Sequence, residues 1–170
     1  LQISAPSSAS LTITKTNTSC FGTCTGTATV SIVGGSSPFV YNWSNGGITA
    51  TVSNLSPGNY SVTVTDNKGC TVIKTITVSQ PSMLSAGISS STNVTCNGAG
   101  NGTATAIASG GTSPYNFSWS TGISAQTVNN LSPGNYFVTA TDASGCTSTA
   151  NITITQPVIL FASASPDQSI

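Results

Sequence analysis

Apolar and polar residues alternate at a spacing of two along most of this chain. Tyr60, Val62 and Val64 fall on one face of an extended segment, and Thr63 and Thr65 on the other. Ile76 and Val78 repeat the pattern one segment later, and Phe39, Tyr41 and Trp43 share a face in the same way. Gly, Pro and Asn punctuate these runs, and no 3.6-residue period stands out, so the pattern is that of strands and turns. In the second half it predicts strands near 85–92, 102–109, 115–120, 125–130, 135–142 and 146–155, and in the first half the same strands 76 residues earlier. Many short strands with regular turns predict an all-β fold built of antiparallel sandwiches, about six strands each, with the threonine faces wet and the others buried.

The two halves are copies. Residues 20–81 align without a gap on residues 96–157, and about half of the positions are identical. Both copies close on a strand followed by proline, ITVSQP at Pro81 and ITITQP at Pro157, and the chain opens on LQISAP at Pro6. The segment VILFASA after Pro157 resembles SMLSAGI after Pro81. The expected frame is therefore a last strand of a preceding repeat at 1–6, sandwiches at 7–81 and 82–157, and the first strand of a following repeat at 158–170. With no initiator Met and no secretory signal visible at Leu1, the chain reads as a processed product or an excised segment.

Three local motifs occur twice. Phe39-x-Tyr41-x-Trp43 and Tyr115-x-Phe117-x-Trp119 are expected to pack the core, with Trp43 and Trp119 as central plugs; the competing use of such a row is a sugar-stacking platform. LSPGNY at 55–60 and 131–136 predicts a tight turn followed by a tyrosine corner, which makes Tyr60 and Tyr136 structural. TDNKGC at 65–70 and TDASGC at 141–146 predict a turn joining the last two strands, with Asp66 and Asp142 as turn formers. One carboxylate per repeat is too few for calcium, which takes six to eight oxygens.

Composition narrows the chemistry. Charged residues make up 4% of the chain, there is no His, Glu or Arg, and the net charge is zero. The 37% of hydrophobic residues can still form a core. Three lysines give no basic footprint for nucleic acid, no apolar run approaches the ~20 residues of a membrane span, and the usual proton-transfer groups are scarce. The chain is read as a non-enzyme without cofactor or metal.

Cys20 and Cys70 are 50 residues apart, as are Cys96 and Cys146, which predicts one disulfide in each repeat. Six strands alternating in direction would bring the first and fifth connections to the same end of a sandwich, and these connections hold the cysteines. Each such bond would add about 4 kcal/mol in the chain-entropy model. Zinc would need four N or S ligands, and only two cysteines align per repeat. Cys24, opposite Gly100, is the odd cysteine: a buried free thiol, a lone reactive thiol or a competitor for Cys20, with the inert thiol expected because no His and no second cationic neighbour stands near to activate it.

The ordered series C-x-G-x3-G, GG-x2-P-[FY]-x-[FY]-x-W, L-S-P-G-x-Y-x-V-T-x-T-D-x2-G-C and I-T-x-x-Q-P resembles the SprB-type repeat of very large surface proteins of Bacteroidetes. The resemblance covers both full repeats. It implies an immunoglobulin-like sandwich, export to the bacterial cell surface, often by the type IX route, and a role in adhesion or gliding motility. Polysaccharides or surfaces are the implied ligands, and no catalytic residue is implied. The functional expectation is a stalk or filament segment of an extracellular adhesin, with neighbouring repeats as its partners. Two others stand beside it: a filament subunit joined by strand exchange through 1–5 and 158–164, and a carbohydrate- or ice-binding module using Thr-x-Thr rows such as Thr27/Thr29 and Thr103/Thr105.

Overall fold

A computed structural model describes residues 9–161, so the expected strand at 1–6 and most of 158–170 lie outside the described residues. The chain divides into two compact units, Leu1–Met83 and Leu84–Ile170. The first holds β1 (Ser10–Thr16), β2 (Gly26–Val33), β3 (Val40–Trp43), β4 (Thr51–Leu55), β5 (Gly58–Thr65) and β6 (Thr71–Val78). The second holds β7 (Ser85–Thr92), β8 (Gly102–Ser109), β9 (Asn116–Trp119), β10 (Thr127–Leu131), β11 (Gly134–Thr141) and β12 (Thr147–Ile154). No helix occurs among the described residues, and none is therefore long and apolar enough to cross a membrane.

Each unit is two three-stranded antiparallel sheets, β1-β2-β4 with β3-β5-β6, and β7-β8-β10 with β9-β11-β12. The sheets face each other across a core that follows the predicted alternation. Ala28 and Val30 of β2, Trp43 of β3, Val52 and Leu55 of β4, Val62 and Val64 of β5 and Val78 of β6 fill the first. Ala104, Ala106, Trp119, Val128, Leu131, Val138 and Ile154 fill the second at matching positions. This is an immunoglobulin-like sandwich.

The alternation fails in one place. Val52 and Leu55 are both buried although three residues apart, because the β2–β4 register shifts between Gly26 and Ala28 and Asn54 takes φ 56°. Asn130 does the same in β10 at φ 59°. Asn is among the few residues that enter this left-handed region at small cost, and the resulting bulge turns the following leucine inward.

Strand direction corrects a second expectation. Taking β1 as running upward, β2 runs down, and the two-residue connection Ser56-Pro57 makes β5 run down from the upper end as well. Val40 pairs with Thr65 and Trp43 with Val62, so β3 runs upward from the lower end to mid-height. Thr51 pairs with Thr29 and Leu55 with Gly26, so β4 also runs upward, from mid-height to the upper end. β3 and β4 are thus one rising path that changes sheets, and the six strands do not alternate in direction. Cys20, in the β1–β2 connection, lies at the upper end; Cys70, in the β5–β6 turn, lies at the lower end. An eight-residue strand spans about 26 Å, far beyond the ~7 Å limit between Cα atoms for a disulfide. The second unit has the same registers, which separates Cys96 from Cys146 likewise.

Candidate functional site

The chemistry-bearing side chains gather at the two ends of each sandwich. At the lower end of the second unit, Asp142 is 3% exposed. Its Oδ1 accepts from the amides of Ser144 (2.9 Å) and Cys146 (2.8 Å), and its Oδ2 accepts from the amide of Thr112 (2.8 Å). Burial works to raise its pKa, but these amides outweigh it and hold the carboxyl below its ordinary value. Asp66, at 9% exposure, accepts from Cys70, Lys68 and Ser36 in the same way. The Cys70 amide is foremost in lowering its pKa. Each Asp therefore pins the last turn to the β2–β3 or β8–β9 connection. Its oxygens are used by amides, and among the described residues no group of three metal-ligating side chains occurs.

At the upper end, Tyr60 Oη donates to Ser56 O and Tyr136 Oη to Ser132 O, each at 2.9 Å. Sequence reasoning missed a second fastening there. Gln80 Oε1 accepts from the Gly22 amide at 2.8 Å and Gln156 Oε1 from the Gly98 amide at 3.0 Å. The glutamine of the closing Q-P motif thus ties the departing chain to the cysteine-bearing first connection. Recurrence of the motif at both repeat closures was the signal available in the sequence.

Trp43 and Trp119 are each 2% exposed, with Nε1 donating to Thr49 O and Ala125 O at 2.9 Å. Phe39, Tyr41 and Phe117 pack against the same cores, while Tyr115 Oη donates to Gly110 O. A groove of about 480 Å³ does open along β9, lined by Tyr115, Asn116, Phe117, Ser118, Ser124, Ala125, Gln126 and Thr141.

The cysteines depart from the expected pattern. Cys20 and Cys146 are disulfide-bonded, whereas Cys24, Cys70 and Cys96 are exposed free thiols. The Cys20–Cys70 and Cys96–Cys146 pairings are therefore absent, for the reason of strand direction given above. Cys24 Sγ lies 3.2 Å from Ser56 Oγ.

Fold and repeat together define a class: tandem immunoglobulin-like sandwiches. The family model for the SprB repeat matches residues 12–47 and again 88–123, in line with the resemblance seen in the sequence. Both matches are separated by the same 76 residues as the sequence copies (88 minus 12). No curated protein matches the chain. Among solved structures, it is similar to the three N-terminal domains of the bacteriophage RB49 highly immunogenic outer capsid protein, at 19% identity and a TM-score of 0.58, over 88% of this chain and 59% of that one. It is also similar to a C-terminal fragment of intimin in complex with the intimin-binding domain of its translocated receptor, at 16% identity and a TM-score of 0.42, over 85% and 64%. A third is a tetra-tandem repeat in the extending region of a large adhesion protein, at 16% identity and a TM-score of 0.28, over 89% and 50%. The chain spans less than two thirds of the length of each.

Proposed function

We propose that this chain is a stalk segment of an extracellular repeat adhesin on a bacterial cell surface, holding a binding region away from the cell. The observation that carries this reading is the duplicated SprB repeat, in which β2 to β6 recur residue for residue as β8 to β12. We assign the repeats to 7–81 and 82–157, with partial repeats on either side. Buried Trp43 and Trp119 and the amide-bound Asp66 and Asp142 serve the fold, which suits a spacer. The surface is nearly uncharged and rich in Ser, Thr and Asn. Only six residues, 79–84, separate β6 from β7, which favours restricted motion between repeats.

Deletion of residues 82–157 from the parent protein tests the reading. A stalk segment leaves ligand binding intact and shortens the reach of the binding region. Loss of ligand binding would refute it. The groove along β9 favours a second reading, a carbohydrate-binding module. Glycan binding by the isolated chain that disappears in Gln126→Ala would establish that reading instead.

A further inference from the structure

We propose that the groove along β9 accepts a short, uncharged, extended segment of a partner polypeptide, which adds to β9 as a further strand. This goes beyond the stalk reading, which the deletion described above judges on its own.

The register sets which way the main chain of β9 points. Ser120 N–H donates to Phe137 O at 2.9 Å, and Ser118 pairs with Thr139 and Asn116 with Thr141. Main-chain groups alternate in direction along an antiparallel strand. Asn116, Ser118 and Ser120 therefore turn theirs toward β11, and Phe117 and Trp119 turn theirs away. Trp119 bears this parity out, since its N–H donates to Ile123 O at 2.9 Å and its C=O accepts from Gly122 N–H at 2.8 Å, both in the turn that follows. The N–H and C=O of Phe117 point to the same side. β9 is the edge of its sheet, and no partner for either group occurs among the described residues.

The groove opens where that pair is exposed. Phe117 and Ser118 line it from β9, and Ser124, Ala125 and Gln126 from the connection to β10. On that second side, Ala125 O accepts from Trp119 Nε1 and Gln126 O from Ala106 N–H. Gln126 Nε2 donates to Ala106 O. The edge of β9 thus offers the groove one donor and one acceptor from a single residue, the pattern that the main chain of an added strand matches. The opposite margin of the unit is closed, because β7 and β12 meet there and Ala86 N–H donates to Ser148 Oγ at 3.1 Å.

The surroundings select the occupant. Edge strands are commonly kept apart by charged side chains, by proline or by being short. Across residues 84–161 the only charged side chain is Asp142, and it is buried and bound by three amides. No charge therefore repels a neutral strand or draws in a charged one. β9 has four residues and begins two residues after Pro114. The paired stretch is thus about 13 Å long, enough for three or four residues of the partner. A glycan carries no fixed alternation of N–H and C=O, so it matches this edge less well and becomes an outcome of the test.

The test is selection from a display library of random uncharged heptapeptides on the 170-residue chain, counter-selected against the Ala125→Trp chain. Ala125 is exposed and lines the groove, so the indole fills it without entering the core; an unchanged circular dichroism spectrum checks this. Enriched peptides should bind the Ala125→Trp chain about tenfold more weakly or worse. N-methylation along a peptide should weaken binding at every second amide and spare those between, because only alternate amides face β9. In the unaltered chain, hydrogen exchange at the Phe117 amide, followed by NMR, should slow about tenfold or more when such a peptide is bound. No enrichment over the Ala125→Trp chain, an N-methylation profile without a period of two, or a Phe117 amide left unprotected would overturn the proposal. Groove-dependent binding of cellohexaose with no enriched peptide would overturn it as well.

Discussion

Asp142 shows how a nearly uncharged chain uses a carboxylate. Its three amide donors exist only in the folded turn, so the folded state favours the ionised form and lowers the pKa below the ordinary 3.8. The stabilisation is therefore complete above the ordinary value and is lost as pH falls through the folded one. Urea midpoints measured from neutral pH down to about pH 2 should fall in the acid range, below about pH 5. Asp142→Asn should lower the neutral-pH midpoint and flatten that acid limb. Tyr136→Phe should cost about 1 kcal/mol in the same measurement, the net worth of one hydrogen bond. These residues were legible because their turns are local: Asp142 bonds residues two and four positions on, and Tyr136 one four positions back. Gln80 and Gln156 were not legible, because each bonds an amide 58 residues away. No short-range pattern reports such a partner.

Strands were legible to within two residues in the second unit, since burial on one face imposes a period of two. The bulges were hidden because Asn in a strand looks like any polar residue. Asn130→Val should cost about 1–2 kcal/mol, since a branched side chain resists the left-handed region, while Asn130→Gly should be close to neutral in equilibrium denaturation. Gly102→Ala should cost about 1–3 kcal/mol as overpacking. The added Cβ would lie 2.8 Å from Ile154 Cγ2 and 3.0 Å from Leu131 O. Direction was the deeper omission. The Asn45-Gly46-Gly47 segment carries the composition of a reversing turn, and Trp43 and Gly47 are indeed bonded across it. Yet the chain resumes its course on the other sheet. That outcome is set by which sheet has room beside β2, a tertiary matter with no local signature.

At the level of the whole molecule, the sandwich class and the repeat were legible because both are properties of pattern, and the cysteine partners were not because they depend on direction. Each unit has its own core, centred on Trp43 or Trp119. In calorimetry under reducing conditions, Trp119→Ala should destabilise the second unit by about 3–5 kcal/mol and leave a transition from the first near its original temperature. A single transition that moves as a whole would show that the two cores unfold together.

The rising path through β3 and β4 has a mechanical consequence. Because it runs as one course, β1 and β6 rise together, and the chain enters a sandwich at its lower end and leaves it at the upper. A pull between these two points loads the β1–β2 and β5–β6 ladders along the strands, across hydrogen bonds that stand perpendicular to them, so the bonds of a ladder share the load. In single-molecule stretching under reducing conditions, the first unit should therefore resist more force with handles at Ser10 and Val78 than with both at the upper end, at Thr16 and Val78.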